Sequence, residues 1–281
     1  MSETLALPRR RRRFRIASVA GLAVVAFWLL MAAIGPFIAP VDAGAVVSSE
    51  VFEPISRAFP LGTDYLGRDM LSRLLGGARY TVGVALIATA LAAFAGTTLG
   101  LCAAVKGGWF DSVLSRVLDA VISMPSLMFG LVVVAALGSS LPVLVLTAAV
   151  IYTPGSYRTT RALAVNINAM DFVEVARARG ERALFIVREE ILPNMVLPAL
   201  TDFGLRFVFV VLLLSGLSFL GLGIQPPNAD WGSLVRENIE GLSYGAPAVI
   251  VPALAIATVT IGVNLMIDAL PGRRRAGTEQ R

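Results

Sequence analysis

Six long apolar runs dominate this 281-residue sequence, and each approaches the roughly 20 residues that a helix needs to cross a bilayer. The predicted spans are Ile16–Gly35, Thr81–Ala104, Val113–Leu137, Leu141–Tyr157, Phe207–Gly223 and Ala246–Leu270. The fourth and fifth runs are short, so we expect them to extend into flanking residues. Charged residues make up only 15% of the chain, against about a quarter in soluble domains. The sequence therefore predicts an all-α membrane protein with six transmembrane helices.

The first apolar run follows the basic segment PRRRRRFR, so a cleavable signal peptide is an alternative to a membrane anchor. A signal-peptide core is about 7–15 residues long, whereas an apolar run of about 20 residues is long enough to span. We therefore expect residues 16–35 to form an uncleaved anchor.

Lysine and arginine are distributed unevenly between the two predicted faces. With the N-terminus inside, the inner segments hold eighteen Lys and Arg residues and the outer segments hold five. Because cytoplasmic loops carry the excess of positive charge, this bias predicts that both termini and residues 158–195 are cytoplasmic. Membrane orientation then accounts for most of the basic residues that give the net charge of +5, and we expect no nucleic-acid partner. Binding of anionic lipid by Arg9–Arg13 is the less favoured alternative.

These assignments divide the chain into five predicted regions. They are a basic cytoplasmic tail (1–15), the anchor (16–35), an external segment (36–80), a five-helix core (81–270) and a second cytoplasmic tail (271–281). The core contains a cytoplasmic loop at 158–195.

The residue types present exclude several kinds of chemistry. The sequence has no histidine and a single cysteine, Cys102, so His-based zinc sites, Ser-His-Asp triads and internal disulfides are excluded. The phosphate-binding pattern G-x-x-x-x-G-K-[ST] is also missing, so the sequence offers no phosphate-cradling loop of that type.

The charged stretch DFVEVARARGERALFIVREEILPN interrupts two apolar runs. Asp171 and Glu174 resemble a capping box, and Met170 and Val175 are spaced as a hydrophobic staple. With Gly180 as the C-terminal cap, the pattern predicts a helix over Phe172–Arg179. Such a short helix is marginal in water and needs a surface to pack on. Packing on the protein's own helix ends and docking on a partner chain are equally good interpretations at this point.

A second helical piece is predicted over Glu181–Glu190. Pro193 follows and suits the first turn of the next membrane span, where a missing N–H costs little.

Four sequence blocks resemble one family. EVARARG with ILPN downstream is similar to the EAA loop of ABC-importer permeases. FPLGTDYLGRDMLSRLLGGAR, GGWFDSVLSRVLDAVISMPSL and LSFLGLGIQPPNADWGSL resemble the C-type subunit of the dipeptide/oligopeptide/nickel permeases, in the same order along the chain. Val175 replaces the usual first alanine of the loop, and Leu214 stands where many members carry an acidic residue.

The resemblance implies a type I ABC importer permease fold in a bacterial cytoplasmic membrane. The loop would be a coupling helix that contacts an ATPase subunit, through Phe172, Glu174, Val175, Ala176, Arg177, Arg179, Gly180, Leu192 and Pro193. The implied partners are a homologous second permease, two ABC ATPase subunits, an external substrate-binding protein and the lipid bilayer. No cofactor would be bound by this chain. Di- or oligopeptides are the expected substrates, with nickel or another small solute as the alternative.

Small and polar residues inside the predicted spans give further expectations. Gly96, Gly100 and Ala104 recur at every fourth position, which favours close helix packing. Asp202 and Arg206 lie four residues apart and can pair on one helix face. Asp119 and Asp268 are expected near the cytoplasmic ends of their spans.

Two other classes of protein are less consistent with the sequence. A secondary transporter or channel would often carry ionisable groups at mid-membrane and broken, repeated helices. An intramembrane enzyme would need a nucleophile with a base, and the base is missing. Copurification of ATPase subunits would distinguish these classes.

Overall fold

The computed structural model describes residues 8–268, and the elements of regular structure within that range are helices. They are α1 (Pro8–Ile38), α2 (Met70–Ala78), α3 (Val84–Lys106), α4 (Gly108–Ile122), α5 (Ser126–Leu137), α6 (Leu141–Asn168), α7 (Asp171–Ala178), α8 (Ala183–Phe185), α9 (Leu192–Phe219), α10 (Trp231–Glu237) and α11 (Ile250–Ile267). π-Helical turns at Arg79–Gly83 and Ile186–Ile191 join α2 to α3 and α8 to α9, and a 3₁₀ helix covers Ile239–Tyr244. Residues 1–7 of the predicted first tail, and all of 271–281, lie outside the described residues.

Four helices within the described range are long and apolar enough to cross a membrane. They are Ala17–Ile38, Met70–Lys106, Ala183–Phe219 and Ile250–Ile267. The bent pair α4 and α5 makes a fifth candidate if it counts as one span. α6, at 28 residues, is long enough, but its second half carries Arg158 and Arg161. Length and composition thus support four or five of the six predicted spans.

The predicted third span, Val113–Leu137, is wrong as a continuous helix. The chain bends by 85° between α4 and α5, at residues 123–125. Pro125 disfavours helical geometry in the residue before it, so α4 ends and α5 begins immediately after the proline. Hydropathy does not detect such a change of direction, because both pieces are apolar.

The external segment 36–80 contains a helix that leads directly into the next apolar helix. Asp69 caps α2 by accepting a hydrogen bond from the Ser72 N–H at 2.8 Å. Met70, its first residue, is fully buried, whereas Leu66 lies before the helix and is exposed. α2 therefore extends the second predicted span at its N-terminal end.

The chain forms two compact units, and the first comprises Met1–Gly83 and Ser218–Arg281. α1 and α11 approach closely in this unit, since a Cβ at Gly21 would lie 2.7 Å from the Gly262 carbonyl oxygen. The Trp28 indole donates to Thr258 Oγ1 at 3.0 Å. The ring of Trp231, which is fully buried, contacts Trp28 at 4.6 Å between centroids.

A buried ion cluster joins the start of α2 to α10 within this first unit. Arg73 contacts Asp64 at 2.5 Å and Glu237 at 3.0 Å, and Arg68 contacts Asp64 at 2.7 Å. All four side chains are at most 9% exposed. Two positive and two negative groups balance, which is the condition under which buried charges are tolerated.

Asp230 begins α10 with a true capping box, because its side chain and that of Ser233 each accept from the other's backbone N–H. Burial raises the pKa of this carboxyl above its usual range, although hydrogen bonds from Ser218 and nearby backbone groups oppose the shift.

The second unit comprises Val84–Leu217 and is built on the packing of α3 against α6. Close approach occurs at the predicted glycines. A Cβ at Gly96 would lie 2.4 Å from Ser156 Cβ, and one at Gly100 would lie 2.9 Å from Thr160 Cβ. Ala104, near the end of α3, packs against an apolar cluster that includes Val173 and Ala176 of α7. The expectation of close packing at these positions is confirmed.

Candidate functional site: the α6–α9 loop

The inner face of α7 is anchored in the second unit. Val173 is fully buried and Ala176 is 5% exposed, three residues apart on one helix face. Both belong to an apolar cluster with residues of α3, α6, the second π turn and α9, namely Leu101, Ala164, Ile167, Ile186, Ile191 and Met195. Burial of this face supplies the packing that a two-turn helix needs. α7 is therefore rigidly attached to the helices on either side of it.

The C-terminus of α7 is closed by a Schellman motif. Gly180 has φ of +82°, its N–H donates to the Arg177 carbonyl at 2.9 Å, and the Glu181 N–H donates to the Ala176 carbonyl at 3.2 Å. These are the two hydrogen bonds that define the motif, and the left-handed residue is usually glycine. The prediction that Gly180 is the C-terminal cap of this helix is confirmed.

The predicted capping box at the other end is wrong. α7 begins at Asp171, one residue earlier than predicted, with Met170 in the cap position and no side-chain cap. The Glu174 N–H donates to the Met170 carbonyl at 3.3 Å instead of to the Asp171 carboxylate. Asp171 and Glu174 still lie in the first turn, where negative charge interacts favourably with the helix dipole. This one-residue shift also removes the Met170–Val175 staple.

The outer face of α7 is exposed and mixes apolar with charged groups. Phe172 is 39% and Val175 is 48% exposed, and they lie three residues apart. Glu174 and Arg179 are exposed beside them. We call these four residues the α7 outer face. The α7 outer face thus presents two apolar side chains and charges of both signs at the surface of this chain.

The remaining predicted residues support the loop from its two ends. Arg177 Nη2 contacts Asn168 Oδ1 at 2.5 Å, which ties α7 to the last residue of α6. The predicted second piece, Glu181–Glu190, is helical only from Ala183 and continues without a break into α9. Leu192 and Pro193 are exposed in the first turn of α9, directly after the π turn. Pro193 lies within this continuous helix and does not start it.

A polar network on α4, α6 and α9 lies beyond the loop in the same unit. Arg206 and Asp202 form the predicted pair, with Nε to Oδ2 and Nη2 to Oδ1 both at 2.6 Å. Asp202 also accepts hydrogen bonds from Ser156 and Thr159 of α6, each at 3.0 Å. The i to i+4 spacing predicted the pair, but no sequence pattern indicated its partners on α6.

Two further ion pairs in this network were not predicted. Asp111 of α4 binds Arg161 of α6 through both carboxylate oxygens, with Tyr157 as an additional partner. Asp119 pairs with Arg158 at 2.5 Å, and both side chains are about half exposed. Each pair joins residues about 40 to 50 positions apart, so the sequence alone could not associate them.

Several apolar helices of membrane-crossing length, with a short helix held at one loop, define a multi-pass membrane protein. Residues 96–276 match the inner membrane component of binding-protein-dependent transport systems, and the chain belongs to this family of transport permeases. The resemblance noted in the sequence is confirmed.

Curated relatives match nearly the whole chain. It is 32% identical to a glutathione transport system permease protein of Pectobacterium atrosepticum, over 93% of this chain and 87% of the relative. It is 30% identical to a dipeptide transport system permease protein of Alkalihalophilus pseudofirmus, over 90% and 83%. A di/tripeptide transport system permease protein of Pseudomonas aeruginosa is 31% identical over 90% and 86%.

Proposed function

We propose that this chain is one of two permease subunits in an ABC importer of peptides, and that α7 is its coupling helix. The two-sided character of α7 carries this proposal. Val173 and Ala176 are buried in the chain's own core, whereas Phe172 and Val175 are exposed. The inner face packs on the protein, and the proposed role of the outer face is to dock in a cleft of an ATPase subunit.

The mechanism follows from the way α7 is attached. The apolar cluster joins α7 to α6 and to α9, and the Schellman motif fixes the direction of the chain leaving α7. ATP-driven closure of two ATPase subunits would pull the coupling helices of two permeases together. Because α7 cannot move independently of its neighbours, α6 and α9 would move with it and change which side of the membrane the pore opens to. ATP and Mg²⁺ remain on the ATPase subunits.

The topology that this mechanism requires has both termini and residues 158–195 in the cytoplasm, and six spans. The charge bias of eighteen against five supports it. The sixth span would be α6, whose first half is apolar and whose last turns carry the arginines. A homologous second permease and an external substrate-binding protein complete the proposed complex. Peptides are the proposed substrate class because permeases named for peptides and glutathione match over most of the chain.

The decisive experiment places a charge on the α7 outer face. Val175→Asp should leave the permease in the membrane at normal levels but abolish most substrate-stimulated ATP hydrolysis in the reconstituted complex, because an unpaired carboxylate is costly to bury in an interface. Asn166→Asp is the matched control, since it adds the same charge at an exposed position on neighbouring α6. Full stimulation in both variants would contradict the coupling role of α7.

A further inference from the structure

A cavity of about 430 Å³ lies in the second unit, where the bend between α4 and α5 faces the middle of α6 and Arg206 of α9. Its size falls within the range of about 300–1,000 Å³ that is usual for small-molecule sites. The wall combines apolar and polar groups, among them Met124, Phe129, Ile151, Tyr152, Arg158 and Arg206. The coupling mechanism does not use this cavity.

Arg206 lines the cavity, and one edge of its guanidinium is occupied within the protein. Asp202 occupies the edge formed by Nε and Nη2. Nη1 lies against Gly155, another wall residue, because a Cβ built there would be only 2.2 Å from this nitrogen. A guanidinium can bind two carboxylates through two different edges. The Asp202 contact therefore orients Arg206 while Nη1 remains beside the cavity.

The start of α5 adds a second positive feature that is independent of Arg206. α5 begins at Ser126, and its cap residue is Pro125, which has no side-chain acceptor for the free N–H groups of the first turn. Ser126 and Phe129 of this first turn line the cavity. Uncapped N–H groups at the positive end of a helix attract anions. α5 is 12 residues long, so its dipole is developed.

Arg158 is the third positive group on the wall, and its contact with Asp119 is half exposed. Exposed ion pairs are weak because water screens them, so this arginine can exchange partners at little cost. Both arginines are nevertheless matched by aspartates, so the net charge of these four groups is zero. That balance favours a ligand with one carboxylate and one ammonium group over a phosphate dianion.

We propose that this cavity binds a peptide in transit, with the peptide's terminal carboxylate on the Nη1 side of Arg206 and near the start of α5. The proposal rests on the peptide importer function argued above and adds to it a contact inside the permease. Met124, Phe129 and Ile151 form the apolar part of the wall and accept a peptide side chain. The free amino group would be attracted by the negative charge of Asp119 and Asp202, which pair with the two arginines of the wall.

The test measures binding to the assembled permease–ATPase complex in detergent, without the external binding protein. Equilibrium dialysis compares radiolabelled alanyl-phenylalanine with its C-terminal amide. The amide should bind about tenfold more weakly, or worse, because a charge-assisted hydrogen bond is lost. Arg206→Gln should weaken binding of the free peptide by a similar factor and should remove the preference over the amide.

Three further variants separate ligand binding from a structural effect. Gly155→Ala adds a methyl group whose three nearest neighbours are guanidinium atoms of Arg206, so it should displace the guanidinium and weaken binding while the complex still assembles. Asp202→Asn keeps Arg206 and an acceptor oxygen for it but removes one negative charge, so it should weaken binding only modestly and should leave the preference over the amide in place. Loss of that preference would show that the pair has only a structural role. Arg116→Gln removes an exposed arginine elsewhere on α4 and should change nothing.

Equal binding of peptide and amide, or unchanged binding in both Arg206→Gln and Gly155→Ala, would overturn the proposal. Displacement of the peptide by inorganic phosphate at equal concentration would also overturn it, because the site would then be a general anion site. Each of these results is compatible with full substrate-stimulated ATP hydrolysis in the unaltered complex. If only the cavity proposal fails, substrate still stimulates ATP hydrolysis by the unaltered complex. If the importer function fails, that stimulation is absent. The two failures are thus distinguishable.

Discussion

Gly180 shows how a single residue determines the direction of the functional loop. Its φ of +82° lies in the left-handed region, and nothing lies within 4 Å of the position that a Cβ would take. A substitution there is consequently strained by the backbone alone, without a steric clash. Sequence reasoning could identify this residue because the motif depends only on local order along the chain. It placed the start of α7 one residue too late, because Asp171 is a favoured cap residue whereas Met170 has no side-chain acceptor.

Gly180→Ala should lower the stability of the loop by about 1 kcal/mol or more and should reduce substrate-stimulated ATP hydrolysis, because the chain leaves α7 in a different direction. Gly83→Ala is the matched control: its surroundings are equally open, but its φ is not in the left-handed region. Stimulated hydrolysis and the melting temperature of the purified complex are the measurements. Equal behaviour of the two variants would show that the left-handed cap is dispensable.

Two roles were predicted for Glu174, in a capping box and in the contact with an ATPase subunit, and the first of these is wrong. It is exposed in the first turn of α7 and takes no part in a capping box. Glu174→Gln should therefore leave the melting temperature of the complex nearly unchanged and lower stimulated ATP hydrolysis if the charge contacts an ATPase subunit. Asp171→Asn is the control, with the same loss of charge three residues earlier in the first turn of α7. Full stimulation in Glu174→Gln would remove this residue from the proposed contact.

At the scale of elements, the packing of α3 on α6 was predictable and the bend between α4 and α5 was not. Small residues four positions apart indicate close packing wherever they occur, so Gly96 and Gly100 could be interpreted without a partner. The bend depends on where Pro125 falls between two runs that are equally apolar. The cavity at this bend, and the pairing of Asp119 with Arg158, follow from that geometry and could not be derived from periodicity.

Gly96→Ala should destabilise the second unit by about 1–3 kcal/mol, the usual cost of overpacking. The added methyl group would meet Ser156 Cβ at 2.4 Å and backbone atoms of Thr153 and Tyr157 at 2.8 Å, and backbone atoms cannot move aside independently. Gly76→Ala is the control, because its Cβ would meet only Ala43 Cβ at an ordinary 3.5 Å. Thermal unfolding of the purified complex measures the difference, and equal melting temperatures would contradict the close approach of α3 and α6.

At the scale of the whole molecule, the charges divide into two kinds with different physical roles. Two of the five arginines assigned to the outer face, Arg68 and Arg73, are buried in the ion cluster and neutralised there. The inner segments include exposed residues such as Arg182 and Arg188. The orientation therefore rests on the count of eighteen Lys and Arg residues to five, because acidic partners contribute little to membrane topology.

This orientation predicts which positions a membrane-impermeant thiol reagent can reach. In a Cys102→Ala background, single cysteines at Ser49 and Asn228 should be labelled in intact cells from which any outer barrier has been removed. A cysteine at Arg182 should be labelled only after the membrane is opened. All three positions are exposed, so protection reports the membrane and not burial in the protein. Labelling at position 182 in intact cells would invert the topology and place α7 on the wrong side for ATPase subunits, which would contradict the proposed function as well.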